Sequence, residues 1–187
     1  SISGIAPTHG MSEHALLVTS AGAYKLYTRE ALYDKLGGTI PYSITRIKGD
    51  PVALVDVPAN GEIIAVSQSG KVVRLNVGLL ANGNGRLMNL YGEDRIIATF
   101  AYRPGDQFVM AAQNGVLQRV GNIAPATAVD TAGVKMAQGT VSAAKIGGEL
   151  WAMTDRRLLK VDAAQLDKPR GTISVAAGES VRALVSI

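Results

Sequence analysis

In EIIAVSQSGKVVRL (residues 62–75) an apolar run rich in β-branched residues stops at Ser69-Gly70 and resumes as a second apolar run that carries Lys71 and Arg74. Two short apolar runs around a Ser-Gly turn read as a β-hairpin, with Gly70 supplying the positive φ that the tight turn requires. Strict alternation is missing. Residues 63–66 are apolar on both faces, which suits a strand covered from both sides. The pattern recurs in ALLVTSAGAYKLY (residues 15–27), QFVMAAQNGVLQRV (residues 107–120) and ELWAMTDRRLLKV (residues 149–161). The turn falls at Gly22, Gly70 and Gly115, and at Arg156 in the fourth copy, so the spacings are about 48, 45 and 41 residues. In that fourth copy Asp155-Arg156 is expected to enter the left-handed region without a glycine.

Outward from each hairpin the copies continue alike. A polar loop with glycine follows: KLGGT (residues 35–39), NGNGR (82–86), TAGVK (131–135) and KPRGT (168–172). A further apolar stretch reads as a third strand. A turn comes next, at Gly49-Asp50, Glu93-Asp94, Gln138-Gly139 or Gly178-Glu179, and the copy closes on a last strand at residues 52–57, 96–102, 141–146 or 181–187. Short helical turns are expected at residues 29–35, 77–80 and 163–166. One such unit cannot bury two apolar faces alone, so neighbours must stack on it. The expected fold is therefore all-β and propeller-like, with about four four-stranded antiparallel blades at roughly residues 15–57, 58–102, 103–147 and 148–187, arranged as a closed disc or an open crescent. Residues 1–14 (SISGIAPTHGMSEH) are small, polar and turn-rich, and are expected to be a linker or tail at the margin of a longer polypeptide.

Composition narrows the chemistry. A chain of 187 residues, 47% hydrophobic and 18% charged, suits one folded domain and excludes a disordered polar chain. No apolar run is long enough to cross a bilayer, so no membrane partner is expected. Cysteine is absent, which excludes disulfides, thiolate zinc sites and thiol nucleophiles and suits a reducing cytoplasm. His9 and His14 are the two histidines, with no third ligand beside them, so no metal site is expected. Nucleophile elbows and phosphate or dinucleotide fingerprints are missing, and Gly83-Asn84-Gly85 reads as a turn. The carboxylates of Asp50, Glu93, Asp94, Asp106, Asp130 and Glu179 fall at turns, where their ordinary work is to form them. Neither a catalytic site nor a cofactor is expected in this chain.

The basic residues carry more information. They outnumber the acidic ones by 19 to 15, a net charge of +4. Arg74, Arg119 and Lys160 each stand four residues past the turn position, and Lys25 three past it. A second set marks the glycine loops: Lys35, Arg86, Lys135, Lys168 and Arg170. Lys71 and Arg157, beside the turns, complete the candidates. Equivalent positions in stacked blades lie at equal radius, so these side chains would form an arc along the perimeter that suits a curved phosphate backbone. The plainer reading is that they solvate outer strands and guard edges against aggregation. A small propeller scaffold that binds protein or carbohydrate, and an enzyme domain with an unrecognised site, are the competing classes.

VTSAGAYKLYTREALYDKLGGTIP (residues 18–41), followed by IKGDPVALVDV (residues 47–57), resembles the C-terminal β-pinwheel of bacterial type IIA topoisomerase A subunits, the family of gyrase A and topoisomerase IV ParC. AVSQSGKVVRLNVGLLANGNGRLMNL (residues 65–90) is similar nearly as closely, and the third and fourth copies diverge further. The resemblance implies a disc of four-stranded blades that lend strands to one another. It also implies a basic rim that binds and bends duplex DNA without sequence preference. The catalytic tyrosine would lie in the N-terminal breakage–reunion region of the same polypeptide, and an ATPase B subunit would complete the enzyme. Gyrase A has the basic loop Q-R-R-G-G-K-G. Its equivalent here, DKLGGTI (residues 34–40), keeps Gly37 and Gly38 but loses most of the charge. That departure points to the topoisomerase IV ParC type rather than to a gyrase A wrapping domain.

Overall fold

The computed structural model describes residues 12–36 and 47–187. The first copy forms β1 (His14–Thr19), β2 (Ala23–Thr28), the helix α1 (Arg29–Leu36) and β3 (Pro51–Val57). The second forms β4 (Glu62–Ser67), β5 (Lys71–Asn76), a 3-10 turn at Val77–Leu80, β6 (Asn84–Arg86) and β7 (Ile96–Tyr102). The third forms β8 (Gln107–Ala111), β9 (Val116–Val120), β10 (Val134–Lys135) and β11 (Ser142–Ile146). The fourth forms β12 (Leu150–Thr154), β13 (Leu158–Val161), the helical turn α2 (Ala163–Leu166), β14 (Arg170–Thr172) and β15 (Val181–Ser186). β1 starts at His14, and Ser12 and Glu13 just before it are hydrogen-bonded to later parts of the first copy. The Ser12 amide donates to Asp56 Oδ1 at 2.8 Å, and the Glu13 carbonyl accepts from the Arg29 amide at 2.8 Å.

The strands make four antiparallel sheets, in the orders β3-β1-β2-β6, β7-β4-β5-β10, β11-β8-β9-β14 and β15-β12-β13. In the first three, the outermost strand is donated by the next copy. The glycine loops are therefore not loops. NGNGR, TAGVK and KPRGT each contain two or three residues in strand conformation, whose backbone groups pair with the edge of β2, β5 or β9 in the preceding sheet. The apolar stretch after each loop, expected as a third strand, is irregular instead, and it plugs the gap between sheets: Leu87, Met88 and Ile173 are buried. The fourth sheet has no donated strand among the described residues.

The doubly apolar strands now have a reason. In β4, Ile63 and Ala65 face the core shared with the first sheet, while Ile64 and Val66 face the core shared with the third. In β8, Phe108 and Met110 face the second sheet, and Val109 and Ala111 the fourth. Period-2 side-chain direction thus divides each strand between two interfaces. Each fully buried aliphatic residue contributes about 1.5–3 kcal/mol. The first sheet turns Ala15 away from its neighbour, and α1 covers it through Leu32, with Tyr27 and Leu54 alongside. This is the polar-faced cap that a stack of repeats needs at an end.

β3, β7, β11 and β15 pack in succession along one margin. There a backbone bond joins each sheet to the next. Ile96 N–H donates to the Ser20 carbonyl at 2.9 Å, Thr140 N–H to Gln68 at 2.7 Å, and Val181 N–H to Gln113 at 2.9 Å. Pro51 holds the place in the first sheet that Ile96 and Val181 hold in theirs, and it has no N–H to give. The turn of the fourth hairpin also departs from expectation. Neither Asp155 nor Arg156 has a positive φ; among described non-glycine residues only Asp130 does, at 60°. Thr154 Oγ1 accepts from the amides of Arg156 at 3.1 Å and Arg157 at 2.9 Å, which closes a turn one residue shorter than the others.

Candidate nucleic-acid interface

With β3, β7, β11 and β15 at the inner margin, β6, β10 and β14 form the outer one. Each of these donated strands brings one cation to it: Arg86, Lys135 and Arg170.

The second sheet concentrates charge most sharply. Lys135 lies directly opposite Lys71 in the β10–β5 register. Like charges facing each other across a ladder repel, and neither lysine has an ion pair among the described residues. Lys135 Nζ donates to the Ser69 carbonyl, and Lys71 Nζ lies 5.4 Å from the ring centre of Tyr91. Tyr91 is itself 63% exposed. Beside them an open recess is lined by Gln68, Ser69, Tyr91, Glu93, Asp94 and Arg95. Its Asp94 is fully engaged, accepting from Ser69 N at 2.9 Å, Ser69 Oγ at 2.6 Å and Ser67 Oγ at 3.0 Å. Burial pushes this carboxyl up, but those bonds and the Arg95 amide outweigh it and hold it below the ordinary range.

On the third sheet and the strand it receives, Arg119, Lys168 and Arg170 have no ion pair among the described residues. The Arg119 amide donates to the Pro169 carbonyl at 3.0 Å, and Arg170 Nε donates to Gln118 Oε1 at 3.1 Å.

Other candidates are spent inside the fold. Arg74 Nη2 donates to Glu62 Oε2 at 2.7 Å and Nη1 to the Ile123 carbonyl at 3.0 Å, with its guanidinium 4.8 Å from the Tyr102 ring; the side chain is 16% exposed. Lys160 pairs with Glu149 beside Trp151. Arg86 makes a two-armed pair with Asp130 at 2.6 and 2.8 Å, which holds Asp130 below the usual carboxylate range. Arg157 does the same to Glu179 at 2.9 and 3.0 Å. Arg157, the Ala176 amide and the Thr154 hydroxyl together bring that carboxyl down to about 2. Lys25 is half-buried in β2, opposite Asn84. Lys35 falls in α1 with its side chain outside the described residues, as are Gly37 and Gly38 of the sequence DKLGGTI.

The register of Arg74 and Lys160 thus marks a cross-strand ion pair as much as a rim. The carboxylates responsible open their copies at Glu62 and Glu149, and the sequence shows them in matching places; the third copy has Gln107 there, and Arg119 has no ion pair among the described residues. Sequence reasoning passed over Lys48, Arg95, Arg103 and Arg156, which are exposed and make no ion pair among the described residues. No group of three His, Cys, Asp or Glu residues among the described residues can hold a metal ion. Nor is any described helix long and apolar enough to cross a membrane.

Strand-exchanged sheets with a cationic outer margin define a β-pinwheel. Solved structures agree on that fold. The C-terminal domain of DNA gyrase A superposes with a TM-score of 0.76 at 15% identity, over 100% of this chain and 70% of that one. The C-terminal domain of DNA topoisomerase IV superposes with 0.75 at 12% identity, over 98% of this chain but only 64% of that one. The E. coli ParC C-terminal domain gives 0.55 at 13% identity, over 83% of this chain and 71% of that one. No family model and no curated protein matches the sequence.

Proposed function

We propose that this chain is the DNA-binding C-terminal domain of a type IIA topoisomerase A subunit, of the topoisomerase IV ParC type. The observation that carries the reading is the facing pair Lys71 and Lys135: two cations held opposite each other with no carboxylate between them. A phosphate is the group that would relieve their repulsion. Arg119, Lys168 and Arg170 extend the same margin on the next sheet. Contacts of this kind go to phosphates, so binding is insensitive to sequence and bends the duplex around the margin. The weak charge of residues 34–40 supports bending over full wrapping, which is the basis for preferring the ParC type. The domain then works in the cytoplasm beside the breakage–reunion region of its own polypeptide and an ATPase B subunit, presenting DNA segments for strand passage.

The test is fluorescence anisotropy with a random duplex across a salt series. Dissociation constants should be on the order of 1–100 μM at physiological salt. Five cations without ion pairs among the described residues, each neutralising a phosphate, give a log K against log salt slope of about −4.5. A scaffold for protein or carbohydrate would give a slope near zero. A gyrase-type domain would restrain supercoils in a closed circle, which the ParC type would not.

A further inference from the structure

The segments that carry the chain from a donated strand to the next inner strand differ in length. Each begins at the residue whose N–H meets the turn carbonyl of Gly22, Gly70 or Gly115, and ends at the residue that bonds to the preceding sheet. Leu87 to Ile96 is nine positions and Ile173 to Val181 is eight, but Met136 to Thr140 is only four. Four positions therefore suffice to make the joint. The long crossing of the second copy, LMNLYGEDRI (residues 87–96), carries Tyr91 in its extra length, whereas SVAAGES (residues 174–180) of the fourth holds no aromatic.

Tyr91 is the only exposed aromatic ring among the described side chains, at 63%. It is nonetheless held in place. Asn89 Nδ2 donates to its hydroxyl at 3.0 Å, and Lys71 Nζ lies 5.4 Å from its centre. The ring walls a recess of about 700 Å³ together with Gln68, Ser69, Glu93, Asp94 and Arg95. The recess is preassembled: Gln68 N–H donates to the Arg95 carbonyl at 2.8 Å, and Asp94 accepts from Ser69 and Ser67. Asp94, held below the ordinary carboxylate range, and Glu93 repel a phosphate from the interior. A neutral planar group meets no such barrier. It can lie against the ring while the exposed side chains of Gln68 and Glu93 meet donors and acceptors on its edge. Lys71, against the ring, and Lys135, opposite it on the ladder, are placed for flanking phosphates.

We propose that Tyr91 and this recess hold a nucleobase turned out of the DNA helix, so that the domain prefers a duplex carrying an unpaired base to a perfect one. The inference rests on the DNA-binding reading and adds to it a contact with a base, which phosphate contacts do not supply. A base without a pairing partner costs least to turn out. Stacking on an aromatic ring accepts any base, so the preference is for unpaired structure and not for sequence.

The test titrates the intact chain against three labelled probes of otherwise identical sequence: a perfect duplex, a duplex with one bulged adenine, and a duplex with an abasic bulge at the same place. The abasic probe bends as the bulged one does but offers no base, so the difference between those two isolates the base contact. The bulged adenine should bind about tenfold tighter than the abasic bulge. Tyr91→Leu, verified as folded, should erase that difference, and Tyr91→Phe, which keeps the ring, should retain it. Equal affinity for the two bulges overturns the inference, while salt-dependent binding of the perfect duplex leaves the DNA-binding reading standing. A difference that survives in Tyr91→Leu also overturns it, by placing the base elsewhere. Failure to bind any of the three probes overturns both.

Discussion

The third and fourth sheets share a hairpin but differ at its outer edge. In the third, β9 receives β14, Leu117 is buried under it, and Gly115 closes the turn at φ +88° where a Cβ would also lie 2.4 Å from the Ile173 carbonyl oxygen. In the fourth, β13 receives nothing among the described residues, Leu158 faces solvent, and the turn carries Arg156 at ordinary φ. The turn glycine therefore does more than reverse the chain. It makes room for the neighbour's strand, and where no such strand arrives the glycine is dispensable.

Substitution at the turns breaks that comparison most strongly. Gly70 sits at φ +87° with a Cβ position 2.2 Å from the Ala137 carbonyl oxygen. Gly70→Val should lower unfolding free energy by about 3–5 kcal/mol in a urea titration, by combining backbone strain with a clash on the donated segment. Arg156→Val should shift it by less than about 0.5 kcal/mol. Next come the equivalent leucines: Leu117→Ala should cost about 2–4 kcal/mol, and Leu158→Ala a few tenths. Arg74→Ala, which leaves Glu62 poorly solvated, should cost about 1–3 kcal/mol while leaving the salt dependence of DNA binding unchanged.

Acid sharpens the comparison more gently. The carboxyl of Glu179, held at about 2, lies below its unfolded value, so its stabilising contribution is complete above the ordinary carboxylate range and fades as pH falls toward 2. Glu179→Gln should flatten the stability curve over that window, measured by urea midpoints at stepped pH. An unaltered curve would show that the pair with Arg157 does not form in solution.

Much of the fold was legible because hairpins announce themselves. The four short apolar runs, the turn glycines of the first three copies and the short helical turns at Val77–Leu80 and Ala163–Leu166 all follow from local rules. The donated strands were not legible as strands. Two or three residues such as Val134-Lys135 have no hydrophobic period, and they become a strand only because β5 offers an edge. The site was half legible. Recurrence singled out Arg74 and Lys160 along with Arg119, yet Glu62 and Glu149 neutralise the first two from a diagonal position that a linear reading does not reveal. The opposition of Lys71 and Lys135, 64 positions apart, exists only through strand exchange.

The central claim is that unneutralised cations at the outer margin hold DNA by its phosphates. It is tested most directly by comparing the salt dependence of duplex binding for the wild type and a Lys71→Ala/Lys135→Ala chain, each verified as folded. The log K against log salt slope should move from about −4.5 to about −2.7, close to 0.9 for each lysine removed. An unchanged slope in the double variant, or a slope near zero in the wild type, would contradict the account.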